Sequence, residues 1–207
     1  NPNKIEVIYY GVGEEFKVNR AETKEELRKR FDLPHEDTKL ILITGQELYK
    51  NHKTCLRVMR ILEKSYDKPI RMVRLGKNYP EWMDFERESQ LQNKVIQIEK
   101  LNLPEVVRLY NCVDFLLFPS FYEGFGRPPV EAMACGLPVV CSNAASLPEV
   151  VGDAALVANP DDEDSLAKHI LNLLKNNELR DSLIGRGFKN IKRFSWNENI
   201  NKTISLY

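Results

Sequence analysis

Short apolar runs without strict alternation recur along this chain, at residues 5–9, 39–44, 70–75, 94–98, 115–118, 138–141 and 155–157. A strand with one wet face alternates apolar and polar residues; a run that is apolar nearly throughout is dressed on both faces. Helical patterns lie between the runs. Residues 23–31 carry Glu25/Lys29 and Glu26/Arg30 as i,i+4 pairs, and residues 51–64 place Cys55, Val58, Met59 and Leu62 on one stripe. A further helical stretch passes through Trp82 and Phe85, Pro104 opens another that runs to Asn111, and one more starts after Gly126. Three helices close the chain, near 165–174, 178–191 and 196–206. Strands buried on both faces and joined by helices predict an α/β fold, a doubly wound parallel sheet of the Rossmann-like kind. No Pro/Gly/Ser-rich linker, low-complexity tract or repeat divides the chain, so residues 1–207 read as one domain.

In such sheets ligands bind beyond the carboxyl ends of the strands. That rule directs attention to the loops at 10–16, 45–53, 76–79, 99–103, 120–127 and 142–146. The formal net charge of +0 gives no global pull toward nucleic acid or an acidic membrane. No apolar run approaches the roughly 20 residues that span a bilayer. The four cysteines, Cys55, Cys112, Cys135 and Cys141, are scattered in apolar segments with no CxxC pair, which reads as buried thiols of a reducing compartment.

The most informative loop is Glu123-Gly-Phe-Gly-Arg-Pro-Pro-Val-Glu131, which follows an apolar strand and opens a helix at Pro128 and Pro129. Backbone amides and the helix dipole at such a point suit phosphate oxygens. Carboxylates flanking it suit the hydroxyls of a sugar or ribose. Gly124 and Gly126 let a backbone approach a ligand closely, although two glycines also make an ordinary turn. Taken alone, Glu131 also fits as a dipole-complementing helix residue, and Glu123 as a solvated loop residue.

The string continues as Ala132-Met-Ala-Cys-Gly-Leu-Pro-Val-Val140 and Ser142-Asn-Ala-Ala-Ser-Leu-Pro-Glu-Val-Val-Gly-Asp-Ala-Ala155, with Asn159-Pro160 and Phe194-Ser-Trp196 further on. This combination, nearly end to end from about Val7 to Trp196, resembles the C-terminal half of retaining GT-B glycosyltransferases, more narrowly glycosyltransferase family 4, the group 1 family. The Ser-Leu-Pro-Glu-Val-Val-Gly-Asp wording is most similar to its surface-polysaccharide mannosyltransferases. The resemblance implies a donor-binding half whose N-terminal acceptor half is absent. The donor would be a UDP-, GDP- or ADP-sugar, and the acceptor a saccharide or lipid-linked saccharide. It implies no cofactor and no metal, since the nucleotide-diphospho-sugar is itself the substrate. It implies no nucleic-acid partner and a cytoplasmic site of action, at the cytoplasmic membrane face where relatives use lipid-linked acceptors. Membrane contact would belong to the missing half.

Carried onto these residues, the resemblance makes Glu123 and Lys50 the catalytic pair and Glu131 the ligand of the ribose diol. Gly124, Phe125, Gly126 and Arg127 form the donor loop. Phe125 reads equally as packing, and Arg127 as a surface arginine. Lys50-Asn51 matches the family's phosphate-binding lysine, but the arginine expected near Gly45 is missing, with Gln46 and Tyr49 at its place. One lost cation at a developing charge could cost on the order of 3 kcal/mol; Lys53 and Arg127 are the candidates to compensate. Gly11 keeps the tight turn of a loop where the family usually has Asn-Gly-Val-Asp. The Leu101–Glu105 segment matches the base-binding loop, with the backbone of Lys100 or Leu101 against the base. A non-catalytic nucleotide-sugar or assembly module is the rival reading. A redox Rossmann enzyme is disfavoured, because Gly11-Val-Gly13 lacks the third glycine of the dinucleotide turn.

Overall fold

The computed structural model describes residues 5–206. Six parallel strands form one sheet in the order β3-β2-β1-β4-β5-β6. They are β1 (Lys39–Thr44), β2 (Ile70–Leu75), β3 (Val95–Ile98), β4 (Phe115–Phe118), β5 (Val139–Ser142) and β6 (Leu156–Ala158). The helices are α1 (Lys24–Arg30), α2 (His52–Ser65), α3 (Pro80–Ser89), α4 (Leu103–Cys112), α5 (Arg127–Ala134), α6 (Leu147–Val151), α7 (Glu163–Lys175), α8 (Asn177–Asn190) and α9 (Trp196–Ser205).

The unbroken apolar strands do face two cores. Along β1, Leu40 and Leu42 join one hydrophobic cluster while Ile41 and Ile43 join the other. In β4, Leu116 and Phe118 point to the first and Phe115 and Leu117 to the second. This is the period of two of a strand with helices on both sides. Ala132 and Met133 of α5 and Leu109 and Tyr110 of α4 fill the first layer; α2 and α7 fill the second. The α2 stripe of Cys55, Val58, Met59 and Leu62 is wholly buried, each of its larger side chains stabilising the fold by about 1.5–3 kcal/mol.

Two caps show how local chemistry sets the helix boundaries. Thr23 accepts the Glu26 amide while Glu26 returns to the Thr23 amide, and Asn102 and Glu105 repeat that box at α4. At the amino end of the sheet, buried Arg28 donates to Asp114 at 2.8 Å and to the carbonyls of Cys112, His35 and Thr38. Asp114 also accepts the Leu40 amide at 2.7 Å, which locks α1 to β1 and β4.

The strand expected at residues 5–9 does not form. Both sheet edges belong to other strands, β3 and β6, and Ile5 and Val7 are exposed. The segment is instead pinned by side chains: the Tyr9 hydroxyl donates to Glu149 at 2.5 Å, and Asn199 donates to the Tyr9 carbonyl at 2.7 Å. Its residues satisfy neighbours in α6 and α9 rather than a ladder.

The sheet reverses direction between β1 and β4. From β1 the chain winds outward through β2 to β3; from β4 it winds the other way through β5 to β6. The loops leaving β1 and β4 therefore diverge above the sheet and open a crevice at their carboxyl ends.

Candidate active site

The β1 exit loop, Gly45 to Asn51, and the β4 exit loop, Pro119 to Gly126, line that crevice. Main-chain and side-chain bonds knit them together. The Phe121 amide donates to the Tyr49 carbonyl at 2.8 Å. Asn51, buried and in the left-handed region at φ 58°, donates through Nδ2 to the carbonyls of Pro119 (3.2 Å) and Pro160 (2.8 Å). Asparagine tolerates this backbone region better than most residues, which lets the chain turn sharply from Lys50 into α2. The Ser146 hydroxyl lies 2.8 Å from the Glu123 carbonyl and 3.1 Å from that of Phe125, sharing its proton between them.

On this frame Lys50 Nζ meets Glu123 Oε1 at 2.8 Å, with both side chains about nine-tenths buried. The ammonium also sits 4.8 Å from the centre of the Phe118 ring and 5.2 Å from that of Tyr49. Behind it, His52 bridges the Thr44 carbonyl (3.2 Å) and the Tyr79 hydroxyl (3.0 Å). Burial, reinforced by the neighbouring Arg74 charge, depresses the His52 pKa to about 4, so it is a neutral strut.

Lys50, Glu123, Phe125, Gly126 and Arg127 all line one cleft of about 420 Å³, with Tyr10 and Trp196 across from them. A smaller cleft of about 150 Å³ adjoins it, sharing Phe125, Arg127 and Trp196 and reaching Gly11 and Glu131. Glu131 accepts the Tyr110 hydroxyl at Oε2 (3.2 Å), while Arg127 Nη2 stands 3.2 Å from Oε1. Burial raises the Glu131 pKa, and Arg127 and Tyr110 oppose the rise. Gly126, the residue before α5, has φ 96°, and a β-carbon there would strike Leu147 at 2.6 Å. Gly11 is equally confined, since a β-carbon would reach Trp196 at 2.4 Å.

The start of α5 is poor in amide donors. A helix exposes about four unpaired N–H groups at its N-terminus, but Pro128 and Pro129 have none to offer. The amides of Gly126 and Arg127 remain, so side chains must supply most of the positive potential.

Several residues expected from sequence stand apart. Gln46 is exposed and lines neither cleft; its backbone N–H donates to the Glu47 carboxylate at 3.2 Å. Leu101 packs against the first core layer instead of either cleft. Gly124 is exposed, with nothing within 4 Å of a notional β-carbon. Lys53 lies over Phe85 in a separate hollow along α2 and α3. Sequence reasoning missed Tyr10 and Trp196 as cleft residues, and Ser146 and Asn51 as supports. Tyr10 and Ser146 fall in loops flagged by the strand-end rule; no periodic signal marks Trp196.

A six-stranded, all-parallel Rossmann-like sheet with helices on both faces is the fold of a GT-B glycosyltransferase half. The chain belongs to the family of glycosyl transferases group 1, whose model matches residues 23–190. It is 52% identical over 99 residues to the O-antigen chain mannosyltransferase B of Escherichia coli, covering 48% of this chain and 26% of that protein. It is 30% identical over 196 residues to the serotype-specific mannosyltransferase WbdA of Escherichia coli, covering 91% of this chain and 24% of that protein. The match thus spans about a quarter of each of these relatives. Among solved structures, Anabaena HepE in complex with UDP and glucose superposes with a TM-score of 0.81 at 19% identity, over 97% of this chain and 56% of HepE. Among the described residues, no helix is long and apolar enough to cross a membrane.

Proposed function

We propose that this chain is the nucleotide-diphospho-sugar binding domain of a retaining hexosyltransferase, working with an N-terminal half that carries most of the acceptor site. The observation that carries the reading is the Lys50–Glu123 pair, 2.8 Å apart in the cleft at the switch point. The mannosyltransferase relatives favour a hexose, mannose in the first instance, and a growing surface saccharide or lipid-linked acceptor. The UDP and glucose bound in HepE are in keeping with a nucleotide-sugar donor.

Each residue then has a physical task. The Lys50 ammonium neutralises charge that builds on the diphosphate as the glycosidic bond breaks, in place of a metal. Glu123 accepts hydrogen bonds from donor-sugar hydroxyls and lies where positive charge develops on an oxocarbenium-like centre. Glu131 accepts the ribose diol. Glycine at 126 and 11 keeps the walls close, and the second half excludes water when the cleft shuts. No cofactor is needed, and nucleic acid has no part. The acceptor chemistry takes place at the cytoplasmic side, with any membrane contact made by the other half.

Titration calorimetry with UDP, GDP and ADP, without added metal, tests this. Saturable binding of one of them, lost in Glu131→Ala, is the expected result. Millimolar ligand giving no heat with any of the three would refute the donor site. A non-catalytic nucleotide-sugar module is the second reading, and the uncharged Gln46 at the place of the family's arginine favours it. Sugar transfer by the two-halved protein, abolished by Lys50→Ala, decides against that alternative.

A further inference from the structure

Lys50 and Arg127 are the cations among the residues that line the larger cleft, and only Arg127 also lines the smaller one. The other candidates for a second phosphate-binding charge are elsewhere: Gln46 is uncharged and outside both clefts, and Lys53 is committed to the Phe85 hollow. Two prolines thin out the amides at the start of α5. A dianionic group at this helix start therefore finds its complement in side chains.

Glu123 and Glu131 are already paired with these cations; a third carboxylate, Glu15, lines the smaller of the two clefts. Glu123 holds Lys50 at 2.8 Å, and Glu131 holds Arg127 at 3.2 Å. The two pairs differ in burial. The Arg127 side chain is 65% exposed while its Glu131 partner is only 13% exposed, so the guanidinium lies on the solvent side of the pair and can swing to a ligand without leaving water.

Resting on the donor-site reading above, we infer that Arg127 is the second phosphate-binding cation and that it acts by changing partners. A nucleoside diphosphate draws the guanidinium from Glu131 Oε1 to its own phosphate oxygens, for which the planar fork of arginine is well shaped. The vacated Oε1 then receives a ribose hydroxyl, while Oε2 stays with Tyr110. Phosphate and ribose recognition are thereby coupled through one side chain. A ligand with ribose but no phosphate must compete with Arg127 for Glu131 and gains nothing in exchange.

The coupling predicts effects of opposite sign. In Arg127→Ala, the dissociation constant for the nucleoside diphosphate that the chain binds should rise at least tenfold by calorimetry. The matching nucleoside, followed by NMR chemical shifts at millimolar concentration, should bind as well as before or better. Arg127→Lys should recover part of the diphosphate affinity. Equal losses for diphosphate and nucleoside would show that Arg127 merely shapes the loop and would overturn the inference. So would a diphosphate affinity within twofold of the unaltered chain. Either result leaves the donor-site reading standing; failure of the unaltered chain to bind UDP, GDP or ADP removes both.

Discussion

The amide of Phe121 donates to the carbonyl of Tyr49 across the crevice, next in sequence to Lys50 and just short of Glu123. The Lys50–Glu123 ion pair is therefore mounted on a main-chain bridge, and its geometry does not depend on the side chains alone. Substituting either charged residue should leave the loops in place and report on charge.

Glu123→Gln keeps the shape and removes the charge. In the proposed two-domain transferase kcat should fall about 10²–10³-fold, the range found when one preorganised electrostatic group is lost, with KM for the donor changing much less. Steady-state kinetics settle it: an unchanged kcat takes Glu123 out of the reaction.

Glycines 124 and 126 should behave oppositely. Gly126→Ala meets a positive φ of 96° and Leu147 at 2.6 Å, so it should cost about 1–3 kcal/mol. Gly124→Ala enters open space and should stay within about 0.5 kcal/mol. Urea unfolding of the two variants makes the comparison.

Asn51 combines an αL backbone with two buried hydrogen bonds. Asn51→Gly relieves the backbone but loses both bonds; Asn51→Ala loses the bonds and strains the backbone as well. Alanine should therefore be the worse by about 1 kcal/mol, with total losses of roughly 2–4 kcal/mol. Equal melting points would show that the backbone conformation is incidental.

Stability should depend on pH through His52. Its folded pKa of about 4 lies below the usual 6.5, so between these values the unfolded chain binds the extra proton. The contribution is complete above pH 6.5 and is lost as the pH falls toward 4, up to about 3 kcal/mol. Glu131, its pKa raised by burial, has the opposite slope just above its usual 4.5 and offsets part of this. Comparing chemical denaturation of the chain and of His52→Gln between pH 4 and 7 isolates the histidine; parallel curves would count against a buried neutral ring.

Much of this was legible beforehand. The bounds of β1 and β4 follow from their apolar runs, as covering on both faces requires, and those of β2 match the expected 70–75 although it carries Arg71 and the buried Arg74. Residues 5–9 are similarly apolar yet pair with neither outer strand, β3 or β6; Tyr9 is held by Glu149 and Asn199 instead, contacts that composition cannot reveal. The loops bearing Lys50 and Glu123 could be placed at strand ends. Their meeting could not be read, because it depends on β1 and β4 lying side by side although β2 and β3 come between them in the chain. Gln46 illustrates the converse: a matching position in a motif says nothing of whether the side chain reaches the cleft.

Lys50 and Glu123 are 73 residues apart, and the pairing of Ile41 with Phe115 and Leu42 with Leu116 sets their loops side by side. The β1–β2–β3 wing and the β4–β5–β6 wing each consist of strands that follow one another in sequence, with shorter loops to close. The seam between them joins the more distant parts of the chain and carries the greater loop-closure cost. On the proposed donor-site reading, nucleotide capture doubles as a clock for folding: on dilution from denaturant, helical signal should recover first and ligand binding last, when the seam closes.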